Sequence, residues 1–470
     1  MTESALGSRG ETTLPVTLDR ESKTPLAVQL ADALRTAASS GHLRGGDRLP
    51  STRALASRLG VSRTVTAAAY EQLHAEGWIV GRHGSGTYVT TTPPSGQPQH
   101  TNVEPDAEAD SGLLELVPGM PWAEGIERSA WRRAWRAASD EPPSQHTDRA
   151  GLTDYRAAIS ELLLRHRGLN AAPSAVLATA GTTAAVAELA FGVLQPGDTV
   201  AVEEPGYQRA VQALRSAGVR VVPLGVDSDG VRVDEIGDVA AVYCSPAHQY
   251  PLGTRMSAAR RVALVERARS DGFLIIEDDY DGELRFDVAP LPVLAALAPD
   301  VVVHLGTTSK ILTPTLGVGW MVAPPRVAEA VLAYRDRTGT RPSPAGQRVF
   351  TAFARNGDLG RHLRRVRREL SERRQWLTEA LTEAGIPVLG DDAGAHLVVP
   401  LASPAQEKEL LAAAAGHGIL LDGLARHFAA EPTAFGVAIG YAGCSRAELH
   451  AAIPTLIEVF RRPSGTSDSG

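Results

Sequence analysis

Apolar residues at 26, 30, 33, 34 and 37 share one face of a 3.6-residue period, so the stretch after Pro25 predicts an amphipathic helix. A glycine-rich bend over 41–46 closes it. Ser51 can cap a short helix carrying Leu55 and Leu59, Gly60 stops that helix, and Ser62 caps a third bearing Val65, Ala69 and Leu73. The pattern is helix, tight turn, helix. Gly77 ends the third helix, and the runs at 78–82 and 87–90 predict a β-hairpin around His83, Gly84, Ser85 and Gly86.

The pattern then changes twice. Residues 91–112 hold almost no apolar position, four prolines and a cluster of acids, so they cannot bury a core and predict a flexible, partly extended linker. Beyond it, short apolar runs at 176–178, 199–202, 219–222, 240–243, 273–276, 301–305 and 317–322 alternate with helical stretches such as 182–194 and 257–270. Such alternation predicts an α/β domain with a doubly covered, largely parallel sheet. From 357 the chain turns arginine-rich and helical, then shows short strands near 396–400 and 436–441, which predicts a smaller α+β subdomain. The expected boundaries are 20–90, 91–112 and 113–462.

Composition narrows this picture little. At 470 residues the chain predicts two to four domains, and 43% hydrophobic with 21% charged residues is ordinary for a soluble protein. The longest apolar runs fall far below the roughly 20 residues of a membrane helix, and the N-terminus lacks a signal-peptide pattern, so a cytoplasmic protein is expected. Cys244 and Cys444 form neither a disulfide framework nor a metal pattern. Charge matters more. The net −7 argues against nucleic acid on average, yet residues 21–89 hold eight Lys or Arg against five acids, whereas 93–116 hold five acids and no Lys or Arg.

A recognition helix offers short polar and basic side chains in its first turn and apolar ones behind. Ser62, Arg63, Thr64 and Thr66 meet that demand, Arg53 is placed to reach a phosphate or a guanine, and a hairpin tip of Gly84, Ser85, Gly86 and Thr87 has a backbone bare enough to enter a minor groove. The plainer reading makes Ser51 and Ser62 helix caps and the hairpin an ordinary one.

Open α/β sheets bind ligands beyond the carboxyl ends of their strands. Two such ends here carry Glu277-Asp278-Asp279-Tyr280 and Gly306-Thr307-Thr308-Ser309-Lys310. A lysine can form a Schiff base with an aldehyde cofactor, a carboxylate can keep a pyridine nitrogen protonated, and a phenol can contact the ring hydroxyl. Lys310, Asp278 and Tyr280 can fill these roles for pyridoxal 5'-phosphate. A lysine after a strand is more often a solvated loop residue, and EDDYDGE also reads as a charged turn or a cation site, although its spacing does not match a calcium loop.

The run LPSTRALASRLGVSRTVTAAAYEQLHAEGWIVGRHGSGTYV resembles the GntR winged-helix family. The blocks GLTDYRAAISELLLRHRGL, TAGTTAAVAELA, EEPGYQRA, SPAHQYPLGTRMS, IIEDDYDGELRFD and LGTTSKILTP resemble fold type I aminotransferases. Together the two halves resemble the MocR subfamily of GntR transcriptional regulators over roughly residues 20–460. The resemblance implies Lys310 as the Schiff-base lysine, Asp278 as the pyridine partner, Tyr280 on the ring hydroxyl and Tyr207 stacked on the ring. It implies Gly181, Thr182 and Thr183 as a phosphate-cradling turn at a helix N-terminus, with hydroxyls from Thr307 or Ser309, and His248 and Gln249 lining the pocket. It also implies operator DNA and a homodimer presenting two winged helices to paired half-sites, with no membrane partner and no metal.

Two positions depart from that pattern. Where the family carries a phosphate-holding arginine seven or eight residues after the lysine, LTPTLGVGW has Gly317 and Gly319. Where transaminases carry a late carboxylate-clamping arginine, FGVAIGYAG has Gly436; Arg426 or Arg209 can substitute. The run from Arg361 to Arg374 has seven arginines in fourteen positions and reads as a solvated helix pairing with Glu369 and Glu372 or, less favoured, as a second DNA-contacting face. The expected protein is therefore a regulator that binds pyridoxal 5'-phosphate at Lys310 and changes operator binding in response to it or to an amine or amino-acid effector. The rivals are an aminotransferase with an accessory DNA-binding domain and a regulator whose aminotransferase fold only dimerises.

Overall fold

The computed structural model describes residues 16–82, 86–90, 112–142, 148–286, 292–390 and 393–461. The chain divides into two compact units, Met1–Ala109 and Asp110–Gly470. All but Gly112 of the expected linker lies outside the described residues.

The first unit runs α1 (Leu26–Ser39), β1 (Arg48–Leu49), α2 (Thr52–Leu59), α3 (Arg63–Ala75), β2 (Ile79–Arg82) and β3 (Gly86–Val89). Ser51 Oγ accepts from Ala54 N at 3.2 Å and Ser62 Oγ from Val65 N at 3.3 Å, so both expected caps form. Between them Gly60 takes φ 62°, which lets α2 end in a left-handed turn and α3 start three residues later. Leu30, Leu34, Leu55, Ala69, Leu73, Ile79 and Val89 close one core. β1 pairs antiparallel with β3 and makes the hairpin a three-stranded wing. Two residues are too few to show a period, which is why the pattern missed β1.

The second unit begins with β4 (Leu114–Glu115), α4 (Arg128–Ser139), α5 (Thr153–Arg167), β5 (Val176–Thr179), α6 (Thr182–Gly192) and β6 (Thr199–Glu204). It continues through α7 (Gln208–Ser216), β7 (Arg220–Asp227), β8 (Gly230–Val231), β9 (Ala241–Cys244), α8 (Ala258–Asp271) and β10 (Leu274–Asp278). Next come α9 (Leu294–Leu297), β11 (Val302–Thr307), β12 (Gly319–Val322), α10 (Pro325–Thr338), α11 (Pro344–Arg355) and α12 (Asp358–Glu383). The chain closes with β13 (His396–Leu401), α13 (Pro404–Gly416), β14 (Ile419–Leu420), β15 (Asp422–Gly423), β16 (Phe435–Gly440) and α14 (Arg446–Arg461).

Eight strands form one sheet in the order β5-β12-β11-β10-β9-β6-β7-β8, parallel from β11 through β7. β12 runs antiparallel to both neighbours, and β8 to β7. Alternate residues feed two cores: Ala201, Val242, Ile275 and Val302 pack on one face, Val200, Tyr243, Ile276 and Val303 on the other. Both faces are buried, which explains why these strands read as continuous apolar runs. The expected strand at 317–322 starts at Gly319, because Gly317 takes φ 59° after a 3₁₀ turn. β13, β15 and β16 make the smaller antiparallel sheet, and β4 pairs in parallel with β14.

The arginine run on α12 divides between roles. Arg373 is buried and donates to Glu369 Oε1 at 2.8 Å and to the carbonyls of Tyr441 and Cys444 at 3.0 and 2.6 Å. Arg365 and Arg367 donate to the carbonyls of Gly125 and Glu283 at 3.2 and 2.6 Å, Arg374 to that of Gly390 at 2.9 Å, and Arg361 pairs with Asp358 at 2.6 Å. Glu369 pairs with Arg446 as well as Arg373, and Glu372 with Arg446 rather than the run.

Arg167 and Asp279 make a fully buried bidentate pair, Nε to Oδ2 at 2.6 Å and Nη2 to Oδ1 at 2.7 Å. Burial pushes the Asp279 carboxyl up, but the Arg167 guanidinium outweighs it and holds the group below the usual carboxylate range. Arg167→Met should leave that carboxylate buried and unpaired, costing about 3–5 kcal/mol in chemical unfolding followed by tryptophan fluorescence. Adding Asp279→Leu should recover much of the loss.

Candidate cofactor site and nucleic-acid interface

Carboxyl ends of neighbouring strands deliver the site. β10 ends on Asp278 and is followed by Asp279, Tyr280 and Asp281; β11 ends on Thr307 and leads to Ser309 and Lys310; β6 leads to Tyr207, β9 to His248 and β5 to Gly181. Strand alternation sends Asp279 back to Arg167 and leaves Asp278 toward the site. Asp278 Oδ2 accepts from the Tyr243 hydroxyl, while the buried Oδ1 has no partner among the described residues. Burial pushes the Asp278 carboxyl up to about 7, the bond from Tyr243 opposes this, and Asp279 and Asp281 add to the rise.

Lys310 Nζ donates to Gly119 O at 2.6 Å. Burial lowers its ammonium, against the pull of Asp281 and Asp278, and Arg209 lowers it further. The amine is thereby moved toward its nucleophilic, neutral form. The Tyr280 hydroxyl and His248 Nδ1 lie 3.1 Å apart, and His248 Nδ1 and Asp281 Oδ2 2.7 Å apart, while the buried Nε2 of His248 has no partner among the described residues. Gly394 makes this close packing feasible: a Cβ there would stand 2.3 Å from His248 Cε1.

At the head of α6, Gly181 takes φ 125° and no side chain caps the helix. Tyr207 and Thr183 hydroxyls lie 3.0 Å apart, Thr307 Oγ1 donates to Ser309 Oγ at 3.0 Å, and Thr307 Oγ1 would be 3.6 Å from a Cβ on Gly181. An uncapped helix N-terminus ringed by hydroxyls favours an anion. No guanidinium comes from Gly317, whose Cβ direction is open. The slot for a carboxylate clamp does not lie at Gly436 either, since a Cβ there would meet Val399 O at 2.7 Å. Arg426 is already paired with Asp422.

These residues fit pyridoxal phosphate. The unpartnered Asp278 Oδ1 suits a ring N–H, the uncapped α6 suits a phosphate, and Lys310 and Tyr280 stand at the adjoining strand ends. Gln249 is not a lining residue: its amide donates to the carbonyls of Pro205 and Tyr250 at 2.7 and 2.8 Å and accepts from Leu252 N at 3.0 Å, bracing the loop. Tyr243, Asp281 and Gly119 were not foreseen. Asp281 stood within the acidic run, but Tyr243 reads only as strand core and Gly119 carries no signal. Nearby Glu203 is fully buried, with Oε2 accepting from Ser245 N at 2.9 Å, and burial pushes its carboxyl up to about 8. Among the described residues no group of three or more His, Cys, Asp or Glu can hold a metal ion, and no helix is long and apolar enough to cross a membrane.

In the first unit Arg53, Ser62, Arg63 and Thr64 are exposed together at the starts of α2 and α3. Thr66 must be removed from the DNA-facing set, because it is fully buried and its hydroxyl donates to Thr52 O and Arg63 O at 2.9 and 3.0 Å. Gly86 and Thr87 open β3, and Gly84 and Ser85 lie outside the described residues.

Residues 123–455 match the aminotransferase class I and II family, and residues 26–89 match the gntR family of bacterial regulatory proteins. The chain is 32% identical over 475 residues to the probable rhizopine catabolism regulatory protein MocR of Rhizobium meliloti, covering 94% of this chain and 95% of that one. It is 34% identical over 370 residues to the HTH-type pyridoxine biosynthesis transcriptional regulator PdxR of Corynebacterium glutamicum, covering 78% and 81%. Among solved structures, the kynurenine aminotransferase of Pyrococcus horikoshii superposes with a TM-score of 0.68 at 25% identity over 74% of this chain and 91% of that one. Fold and sites thus define a DNA-binding transcriptional regulator whose second unit is an aminotransferase-like domain for pyridoxal phosphate. With relatives aligned across both halves, the chain belongs to the MocR subfamily of GntR regulators.

Arg63→Ala should weaken duplex DNA binding by tenfold or more at unchanged melting temperature, whereas Thr66→Ala should keep DNA affinity and lose roughly 1–2 kcal/mol of stability. Anisotropy titrations and thermal melts separate the two. The carboxyls of Asp278 and Glu203 are raised in the folded state, so the folded protein binds more protons than the unfolded chain between about pH 4 and the folded values. Stability of cofactor-free protein should therefore fall as the pH rises from about 4 through 7 to 8, and Asp278→Asn should flatten part of that decline in melts across pH.

Proposed function

We propose that pyridoxal phosphate, or an amine or amino acid that reacts with it, is the signal that changes operator affinity, with Lys310 as its covalent attachment point. The observation that carries this reading is a half-buried lysine amine, lowered by its surroundings and within electrostatic reach of a carboxylate whose Oδ1 has no partner among the described residues. Bound there, the cofactor supplies an electrophilic aldehyde and an electron-accepting ring. Asp278 would hold the ring-nitrogen proton, and Tyr280, braced by His248, would donate to the ring hydroxyl. Tyr207 would cover the ring face. The amides of Gly181, Thr182 and Thr183, with the hydroxyls of Thr307 and Ser309, would hold the phosphate. Arg209, exposed on the first turn of α7 and close enough to act on Lys310, is the cation available for a phosphate or carboxylate that lacks its usual arginine.

The missing clamps support sensing over turnover. A bidentate guanidinium is the natural carboxylate receptor, and neither Gly317 nor Gly436 offers one. The working form is a cytoplasmic homodimer presenting two winged helices to paired half-sites. An effector shifts operator affinity only through its different affinities for two arrangements of that dimer.

On adding pyridoxal phosphate, the wild-type protein should gain absorbance near the visible edge, borohydride should bleach that band while making the bound cofactor resistant to dialysis, and its DNA affinity should change by roughly 5- to 150-fold. Lys310→Ala should gain neither the absorbance nor the response while still binding DNA. A normal DNA response in that variant would overturn the proposal.

A further inference from the structure

The arginines of α12 left over from internal bonding do not stand alone. α4, with the sequence RSAWRRAWRAAS, carries four arginines and no acid, and buries Ala130 and Ala134. Arg128, Arg132 and Arg136 recur every four residues on its exposed face. Arg133 Nη2 reaches Asp358 Oδ1 at 3.1 Å, and Arg361 Nη2 reaches the same oxygen at 2.6 Å, so α4, which packs on α11, is tied to the head of α12 at this one acid. A second tie runs from Arg365 to Gly125 O at 3.2 Å, just ahead of α4. Asp358 is buried, and its charge is taken up by these two arginines. Arg364 and Arg368 stand exposed one and two turns along α12. The guanidiniums of Arg128, Arg132, Arg136, Arg364 and Arg368 have no hydrogen-bond or ion-pair partner among the described residues.

We infer that the outer faces of α4 and the first half of α12 form a second DNA-contacting surface, on the aminotransferase-like unit, which takes the phosphate backbone of duplex DNA. Charge concentration is the first argument. In a chain of net charge −7, unpaired guanidiniums on two helices tied together at Asp358 make a local positive field that favours an anionic partner. Chemistry is the second. Arginine forks match phosphate oxygens bidentately, and repeated backbone charge suits repeated arginines at helical spacing. Tethering is the third: a winged helix on the same chain holds duplex DNA at high effective concentration near this unit. Such contacts would add affinity and register without reading bases.

The test uses the full chain and two mixed-sequence duplexes, one the length of a single winged-helix footprint and one several times longer. Affinities are measured by anisotropy across a salt series. Replacing Arg128, Arg132, Arg136, Arg364 and Arg368 with Ala should leave binding to the short duplex unchanged. On the long duplex it should reduce the slope of log K against log salt by about 0.9 for each phosphate that is no longer neutralised. Arg63→Ala should weaken both duplexes. A milder pair, Arg132→Gln with Arg368→Gln, should show a smaller loss in the same direction and guards against misfolding of the fivefold variant. Wild-type affinity and slope on the long duplex would overturn the inference. So would a change in oligomeric state with DNA binding intact, which would make the face a protein interface.

Discussion

The second unit depends on one constraint: its central sheet is buried on both faces, so strand interiors must be apolar and polar chemistry is confined to strand ends. Ala241 to Tyr243 and Leu274 to Ile276 are each committed to one core or the other. Past their carboxyl ends the backbone leaves the sheet and can turn Asp278, Tyr280, Tyr207, His248 and Lys310 toward one place. Residues far apart in sequence are thereby brought to the same end of the sheet.

The same burial raises the cost of every charge there, and the pocket manages it unequally. Asp279 receives a full guanidinium fork from Arg167 and stays ionised. Asp278, one residue earlier and on the other side of the strand, receives a single phenol hydrogen bond and is pushed up to about 7. Two adjacent acids of the same type are thus shifted in opposite directions, set by which partners each one faces. An acid left poised in this way is suited to a ligand that brings its own N–H.

Much of this was legible in the sequence. Runs such as FLII and VVVHL located β10 and β11 because a doubly buried strand needs unbroken apolar residues, and Ser62 located α3 because an N-cap needs a side-chain oxygen. What was not legible depended on partners distant in the chain. Thr66 looks like any polar residue in a first helical turn until α2 supplies Thr52 O as its acceptor. Gly436 looked like the place of a lost arginine until β13 brought Val399 O against it. Arginines of one run, identical in sequence, end as a buried brace at Arg373 and an exposed surface cation at Arg368, because only packing decides which face is covered.

Gly119 gives the pocket a direction. Its carbonyl accepts from Lys310, and it lies four residues past β4, where the second unit begins its first strand against β14. A lysine nitrogen committed to another bond no longer offers that carbonyl the same three-donor ammonium. A change at Lys310 therefore reaches Gly119 and the loop that leaves β4 before any other backbone carbonyl.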